Sequence, residues 1–135
     1  MGTNSLRASA SVDSKDVSAP ALRTVFRILA AWGLNNKEQI TLLGNPPKST
    51  FYRWKQGAGV VLSQDTLERL SYIFGIYSAL QVLLPEAKAA DAWIRKPNAA
   101  PLFGGRSALE RMLSGQVADL YIVRQYLDAQ RGGWS

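Results

Sequence analysis

The sequence predicts an all-α protein in which an N-terminal helix-turn-helix subdomain precedes a second, smaller helical subdomain. From about Pro20 onward, apolar residues recur every three or four positions, which is the helical period. Glycines and prolines separate these segments and mark their ends. No stretch alternates apolar and polar residues for long enough to form a strand. We therefore divide the chain into a leader (1–19), a helix-turn-helix region (20–85) and a C-terminal region (86–135).

The leader is expected to be disordered. Residues 1–19 are rich in Ser and Ala and contain few large apolar side chains. Such a segment cannot bury enough surface to offset the entropy of ordering.

The first three helices are predicted from spacing and capping signals. A first helix that Gly33 ends is indicated by apolar residues at helical spacing: Leu22, Val25, Phe26 and Leu29. Asn36 stands three residues before Gln39, which is a capping-box pattern, and Gly44 would end that second helix. After a turn with two prolines, residues 48–56 form a short third helix.

A fourth helix is predicted to begin after Ser63, a favourable N-cap residue. Its buried stripe would contain Leu67, Leu70 and Phe74. Gly75 is expected to interrupt the helix, and residues 76–84 to continue it as an almost wholly apolar segment closed by Pro85.

The C-terminal region is also predicted to be helical. One apolar stripe ends before Pro97 and comprises Ala87, Ala90, Trp93 and Ile94. Ser107 and Glu110 have capping-box spacing for the next helix, which Gly115 would end. In a last helix over about residues 116–130, one face carries Leu120, Val123 and Leu127, and another carries Ile122 and Tyr126. Such a helix is either deeply buried or shared with a partner.

Composition limits the function classes. The chain has 135 residues, is 47% hydrophobic, and contains no Cys or His. This excludes disulfides, thiol nucleophiles, Cys/His zinc sites and an imidazole base. The longest apolar stretch, residues 73–84, is shorter than the roughly 20 residues of a membrane span, and the N-terminus lacks a signal-peptide core. We expect a cytoplasmic protein with no cofactor, no metal and no membrane partner.

Charge favours the first folded half as a nucleic-acid surface. The net charge is +6, and residues 20–85 contain seven basic and three acidic side chains. A basic excess of this kind is compatible with a nucleic-acid face, but an ordinary solvated surface explains the charge equally well.

Residues 36–57 have the pattern of a helix-turn-helix, whose second helix enters the major groove. Phe51 and Trp54, three residues apart, define the buried face of that helix. Arg53 and Gln56 point away from it and suit guanine and adenine edges, whereas lysines at the flanks suit phosphates. The candidate DNA-binding residues are Lys48, Ser49, Tyr52, Arg53, Lys55 and Gln56. The alternative is a solvated helical hairpin that binds no DNA.

Four segments carry a resemblance to a known family. They are TFYRWKQG (50–57), LSQDTLERLSYIFGIYSALQVLLP (62–85), AWIRKPNAAPLFGGRSALERMLSG (92–115) and VRQYLDAQRGGW (123–134). From about Leu22 to the end, the chain resembles the Xre/MbcA/ParS antitoxins of type II RES–Xre toxin–antitoxin systems. The resemblance implies an Xre-like helix-turn-helix subdomain for DNA binding and dimerisation (20–85), followed by a small toxin-binding subdomain (86–135).

The resemblance also implies function. Such antitoxins are cytoplasmic homodimers that bind operator DNA and repress their own operon. They neutralise a RES-domain toxin that degrades NAD or transfers ADP-ribose to a protein, and they are not enzymes. By similarity, the toxin-facing candidates are Arg124, Tyr126, Asp128, Arg131, Gly132, Gly133 and Trp134. Arg and Trp are enriched at binding hot spots, and glycines let the backbone approach a partner closely.

Other interpretations remain open. Trp134 could fold back onto the chain's own core instead of contacting a partner. The whole chain could be a stand-alone helix-turn-helix regulator whose C-terminal region only dimerises. An enzyme is disfavoured because the sequence has no nucleophile–base pair, phosphate loop or metal-ligand cluster. Residues 103–106 are at most a weak anion-binding motif.

Overall fold

The computed structural model describes residues 18–57 and 61–133. Residues 1–17 of the predicted leader lie outside the described residues, as does Trp134. Residues 18 and 19, which the prediction placed in the leader, are helical. Seven α-helices form the described chain, and these ranges contain no β-strand. They are α1 (18–31), α2 (Asn36–Leu42), α3 (Lys48–Lys55), α4 (Gln64–Leu83), α5 (Ala87–Ala92), α6 (Ala108–Met112) and α7 (Val117–Gly133). The predicted all-α class is confirmed.

The helix-turn-helix consists of α2, a short turn and α3. The N-terminus of α2 is capped by Asn35, not Asn36. The Asn35 side chain accepts a hydrogen bond from the Glu38 N–H at 2.8 Å, and the Glu38 carboxylate accepts from the Asn35 N–H at 2.9 Å. The predicted capping box from Asn36 to Gln39 was thus one residue out of register, and Gln39 is buried instead. Its amide donates to the Leu34 carbonyl at 2.9 Å.

The long helix α4 is continuous through Gly75. Ser63 caps it as predicted, accepting a hydrogen bond from the Thr66 N–H at 3.1 Å, and the helix then runs 20 residues to Leu83. The predicted interruption at Gly75 was therefore wrong. Glycine leaves room there for the Arg124 side chain of α7, because a Cβ at this position would lie 2.7 Å from Cδ and Cζ of Arg124. The glycine lets the two helices approach closely without breaking α4.

The C-terminal region packs against α4 through α5 and α7. After α5 comes a short 3₁₀ turn, Trp93–Arg95, and then a loop closed by an isolated bridge between Pro97 and Ser107. Ser107 caps α6, as predicted, by accepting from the Glu110 N–H at 3.1 Å. Helix α7 then returns along α4, so both halves of the chain contribute to one packed interface.

A single hydrophobic core spans both halves. Its fully buried large side chains come from α1 and the turn after it, α2, α3, α4, the 3₁₀ turn and α6. They include Leu29, Trp32, Leu42, Phe51, Ile73, Ile76, Ile94 and Met112. From α7, the predicted stripe Leu120, Val123 and Leu127 is fully buried in the same cluster. Since α4 supplies buried residues along its whole length, the core of one half continues into the other.

Polar contacts also join the two halves. Arg95 donates to the Trp32 carbonyl at 3.1 Å and to the Gly33 carbonyl at 2.8 Å, at the end of α1. Its guanidinium lies 3.6 Å from Glu38 on α2. Arg95 therefore satisfies carbonyls that the end of a helix leaves unpaired, and it fixes the C-terminal region against the helix-turn-helix. No helix in the described ranges is long and apolar enough to cross a membrane.

Candidate functional site

The exposed face of α3 presents the predicted DNA-binding residues. Phe51 is fully buried and Trp54 is 7% exposed, which confirms the predicted inner face of this helix. The six candidates lie on the solvent side, and each is exposed: Lys48, Ser49, Tyr52, Arg53, Lys55 and Gln56. The structure therefore brings these residues together on one short helix that follows a tight turn, the arrangement that a groove-binding helix requires.

A cavity of about 590 Å³ lies between α2 and α3. Lys48 and Tyr52 line it from α3, and Asn36, Lys37 and Thr41 line it from α2. No acidic side chain lines it. Lys48 and Tyr52 thus face the concave side of the helix-turn-helix.

Lys55 has a structural role that the sequence did not reveal. Its ammonium donates to the Asn36 side-chain oxygen at 2.9 Å. It also lies 5.1 Å from the ring centroid of Phe51 and 5.7 Å from that of Phe26, within the range of cation–π attraction. The Asn36 amide in turn donates to the Tyr52 hydroxyl at 3.3 Å. Lys55 and Tyr52 are therefore held by α2, whereas the side chains of Arg53 and Gln56 have no hydrogen bond or ion pair to another element in the described chain.

The predicted toxin-facing residues fall on two flanks of α7. On the first flank, Arg124, Asp128 and Arg131 line a cavity of about 450 Å³ between α1, α4 and α7. The Arg124 guanidinium lies 3.5 Å from the Asp128 carboxylate and donates to the carbonyl and hydroxyl of Ser71 at 3.4 Å. This flank has an apolar floor and a charged rim, which suits a partner carrying both apolar and charged groups.

Tyr126 lies on the opposite flank. Its ring is stacked with Trp93 at 6.3 Å and meets Phe103 edge-on at 5.2 Å. Phe103 is buried and Trp93 is half-buried, so both side chains pack inside the protein. Tyr126 is consequently half-buried in an aromatic cluster, apart from Arg124 and Arg131. Of the remaining candidates, Gly132 is exposed on the last turn of α7 and Gly133 is its final residue.

Two exposed residues of α7, Tyr121 and Gln125, were not among the candidates from the sequence. Tyr121 is 43% exposed, and its ring lies 5.6 Å from that of Tyr72 on α4. Gln125, one turn further along α7, donates to the Tyr121 hydroxyl at 2.7 Å. Because apolar spacing guided the sequence interpretation, a tyrosine on the polar face gave no signal, although exposed tyrosines are typical of binding surfaces.

Tyr72 of α4 packs against Tyr121 of α7. Its hydroxyl donates to the Glu68 carboxylate at 3.0 Å. Burial, followed by that hydrogen bond, raises the pKa of the Tyr72 phenol above its ordinary value. The Tyr72 phenol therefore keeps its proton, and remains a hydrogen-bond donor, to a higher pH than an ordinary tyrosine.

Within the described ranges, no group of His, Cys, Asp and Glu side chains could hold a metal ion. The candidate residues include arginines, lysines, tyrosines and a glutamine on helix surfaces. These side chains are suited to hydrogen bonds and ion pairs with a partner.

Family models match both halves of the chain. Residues 11–75 match the antitoxin Xre-like helix-turn-helix domain, and residues 78–133 match the antitoxin Xre/MbcA/ParS C-terminal toxin-binding domain. The chain belongs to the Xre family of antitoxins. A similar protein from Sinorhizobium fredii, named "Uncharacterized protein y4oB", is 53% identical over 125 residues, which cover 93% of this chain and 94% of that protein.

The two matched segments of this antitoxin meet inside α4, because one ends at residue 75 and the other begins at residue 78. The surface of α3 lies in the helix-turn-helix segment. Both flanks of α7 lie in the toxin-binding segment.

Proposed function

We propose that this antitoxin neutralises a RES-domain toxin that consumes NAD, either by degrading it or by transferring ADP-ribose to a protein. The C-terminal region would bind the toxin directly and block access to its active site. The observation that carries the proposal is the flank of α7 at which Arg124, Asp128 and Arg131 border a cavity of about 450 Å³, in the segment that matches a toxin-binding domain.

The toxin contact would be built from the end of α7. Arg131 has no ion-pair partner in the described chain and lies on the last turns of α7, so it is free to pair with a carboxylate of a partner. Next to it, Gly132 and Gly133 add little bulk, and Trp134 follows. These four residues, with Arg124, Tyr126 and Asp128, form the proposed toxin-binding set.

We further propose that the antitoxin is a cytoplasmic homodimer that binds operator DNA through α3 and represses its own operon. Arg53 and Gln56 would contact base edges, and Lys48, Ser49, Tyr52 and Lys55 would contact the backbone or the edges of the groove. The exposure of all six residues on one helix supports this part of the proposal.

The first experiment is affinity purification of the tagged chain from its native host, with mass spectrometry of the eluate. We expect a stoichiometric RES-domain partner whose NAD-consuming activity is silent in the complex. A chain that elutes alone but binds DNA specifically would instead identify a stand-alone regulator.

Truncation tests occlusion of the active site. A chain ending at Asp128 keeps the buried stripe of α7 but lacks Arg131 and the residues after it. We expect the truncated chain to bind the toxin without fully inhibiting NAD consumption. Arg106→Ala, which changes an exposed arginine outside the proposed contact, is the control and should inhibit fully. Full inhibition by the truncated chain would reject occlusion by this segment.

Arg53→Ala tests the DNA contact. If Arg53 makes a bidentate base contact, its loss should weaken operator binding by about 1–3 kcal/mol. The measurement is a gel shift at fixed salt with the DNA directly upstream of the gene, and Lys88→Ala, an exposed lysine on α5, is the control. Unchanged affinity would remove Arg53 from the residues that contact bases.

A further inference from the structure

A basic groove lies between α1 and the end of α3. It has a volume of about 330 Å³ and is lined by Arg23, Phe26, Arg27, Ala30, Trp54 and Lys55. Four of these residues come from α1 and two from the last turns of α3. The groove thus combines three cationic side chains with an apolar floor, and no carboxylate lines it.

The two arginines of the groove are exposed and unpaired. Arg23 and Arg27 are one helical turn apart on α1, and both are exposed. In the part of the chain that the structure describes, neither has an ion-pair partner, unlike Arg69, Arg95, Arg111 and Arg124. Like charges at this spacing destabilise a helix. A bound anion would remove that repulsion and could accept two hydrogen bonds from each guanidinium.

The groove lies at the C-terminal end of α3. Lys55 joins the two helices, because its ammonium lies 5.7 Å from the Phe26 ring centroid on α1. Its sequence neighbours Arg53 and Gln56 face solvent on the proposed base-reading side. With α3 in a major groove about 12 Å wide, the phosphates along one edge of that groove would pass the end of α3, next to α1.

We propose that Arg23 and Arg27 of α1 bind the sugar–phosphate backbone of DNA at the edge of the major groove that α3 enters. The arginines would pair with consecutive phosphates, and Phe26 would lie under the deoxyribose between them. This inference rests on the proposed DNA binding by α3, and it extends the DNA-binding surface to a helix outside the helix-turn-helix. Contacts of this type set position and affinity and carry no sequence information.

Salt dependence measures such contacts directly. Each phosphate contact contributes about 0.9 to the slope of log affinity against log salt concentration. Removing two contacts with Arg23→Ala/Arg27→Ala should therefore reduce the magnitude of the slope by about 1.8 and weaken binding roughly tenfold or more near 0.1 M salt. Because both side chains are exposed and alanine is the strongest helix former, we expect the variant to keep its fold, which circular dichroism checks.

The assay is fluorescence anisotropy of the full chain over a salt series, with two labelled duplexes: the DNA upstream of the gene and a scrambled sequence of equal length. The alanine variant should lose slope on both duplexes, since backbone contacts do not depend on sequence. Arg23→Lys/Arg27→Lys should retain the slope. Lys88→Ala/Arg106→Ala removes the same charge from exposed positions in the C-terminal half and should also retain it.

The outcomes separate this inference from the proposed function. If the wild-type chain binds DNA and the alanine variant has the same salt slope as the Lys88/Arg106 control, the role of α1 is overturned. The proposed DNA binding by α3 then stands. A wild-type chain that binds neither duplex would overturn both proposals. Loss of slope in the alanine variant alone, with the lysine variant unchanged, would establish the backbone contact.

Discussion

The close packing of Gly75 against Arg124 leads to a prediction that a double-mutant cycle can test. Gly75→Ala places a methyl group 2.7 Å from Cδ and Cζ of Arg124. This is well below the separation of roughly 3.5–4.0 Å at which carbon atoms attract each other. The Arg124 side chain is 37% exposed. It is therefore able to swing away while the backbone of α4 stays in place.

Two opposing terms determine the free energy of unfolding of the Gly75→Ala variant. Alanine in the middle of a helix is favoured over glycine by about 1 kcal/mol. Displacing Arg124 breaks the 3.4 Å hydrogen bonds to Ser71, which are long and together contribute about 0.5 kcal/mol. It also breaks the exposed pair with Asp128, worth about 0.3–0.5 kcal/mol. The two terms nearly cancel, so Gly75→Ala alone should change stability by less than about 0.5 kcal/mol.

Arg124→Ala supplies the second side of the cycle. In that background nothing opposes the new methyl group, and Gly75→Ala should stabilise the chain by about 1 kcal/mol. The coupling free energy between the two positions is therefore expected to be about 1 kcal/mol. Urea denaturation followed by circular dichroism measures all four chains. An equal effect of Gly75→Ala in both backgrounds would refute the reasoning, because it would show that Arg124 does not occupy the space above Gly75.

Three further predictions concern single contacts. Asn35→Ala removes the cap of α2 and should lower the free energy of unfolding by about 1 kcal/mol; no change in urea denaturation would contradict the observed cap. Arg95→Ala should lower the free energy of unfolding by about 1–3 kcal/mol, since it unpairs two helix-end carbonyls. Arg95→Lys should restore only part of that free energy, because an ammonium lacks the planar fork of a guanidinium. Glu68→Gln should lower the pKa of Tyr72 toward its ordinary value, as measured by NMR titration of labelled tyrosine rings, whereas an unchanged pKa would leave burial as its whole cause. Because that pKa is raised, the stabilisation by neutral Tyr72 is fully present below the ordinary tyrosine pKa. It is lost as the pH rises from that value through the raised pKa of the folded chain.

Much of the fold could be predicted from periodicity and caps, and the errors of that prediction have physical causes. The segment Asn35–Gln39 contains two overlapping capping-box registers, Asn35 with Glu38 and Asn36 with Gln39. The structure selects the first, and Gln39 is then buried with its amide bonded to Leu34. Local sequence cannot separate these registers, because burial of one polar side chain is decided by tertiary packing.

Gly75 illustrates the same limit. A glycine inside a helical pattern weakens the helix by local propensity, which is why a break was predicted. The side chain that needs the empty space belongs to Arg124, 49 positions later in the sequence. No pattern within a single helix could reveal that contact.

The candidate surfaces were predictable to different extents. On α3, spacing alone distinguished the buried Phe51 and Trp54 from the exposed residues, because one short helix has only two faces. On α7, the resemblance supplied a set of residues without their geometry, and the structure separates Tyr126 from Arg124 and Arg131. The domain boundary at residue 85, the toxin and the operator stay predictions.

The continuity of α4 has a consequence for how new specificities could arise in this lineage. Recombination at the junction between the two family segments, at residues 75–78, would cut through a helix whose Ile73, Ile76 and Leu80 belong to one core. A chimera would inherit mismatched halves of that core and could lose several kcal/mol, roughly the cost of one or two poorly filled core positions. Point substitutions at exposed positions of the proposed toxin contact, such as Asp128 and Arg131, would change that contact and leave the core intact. We therefore expect relatives to diverge in partner choice by gradual surface change on α7, with the two segments inherited together.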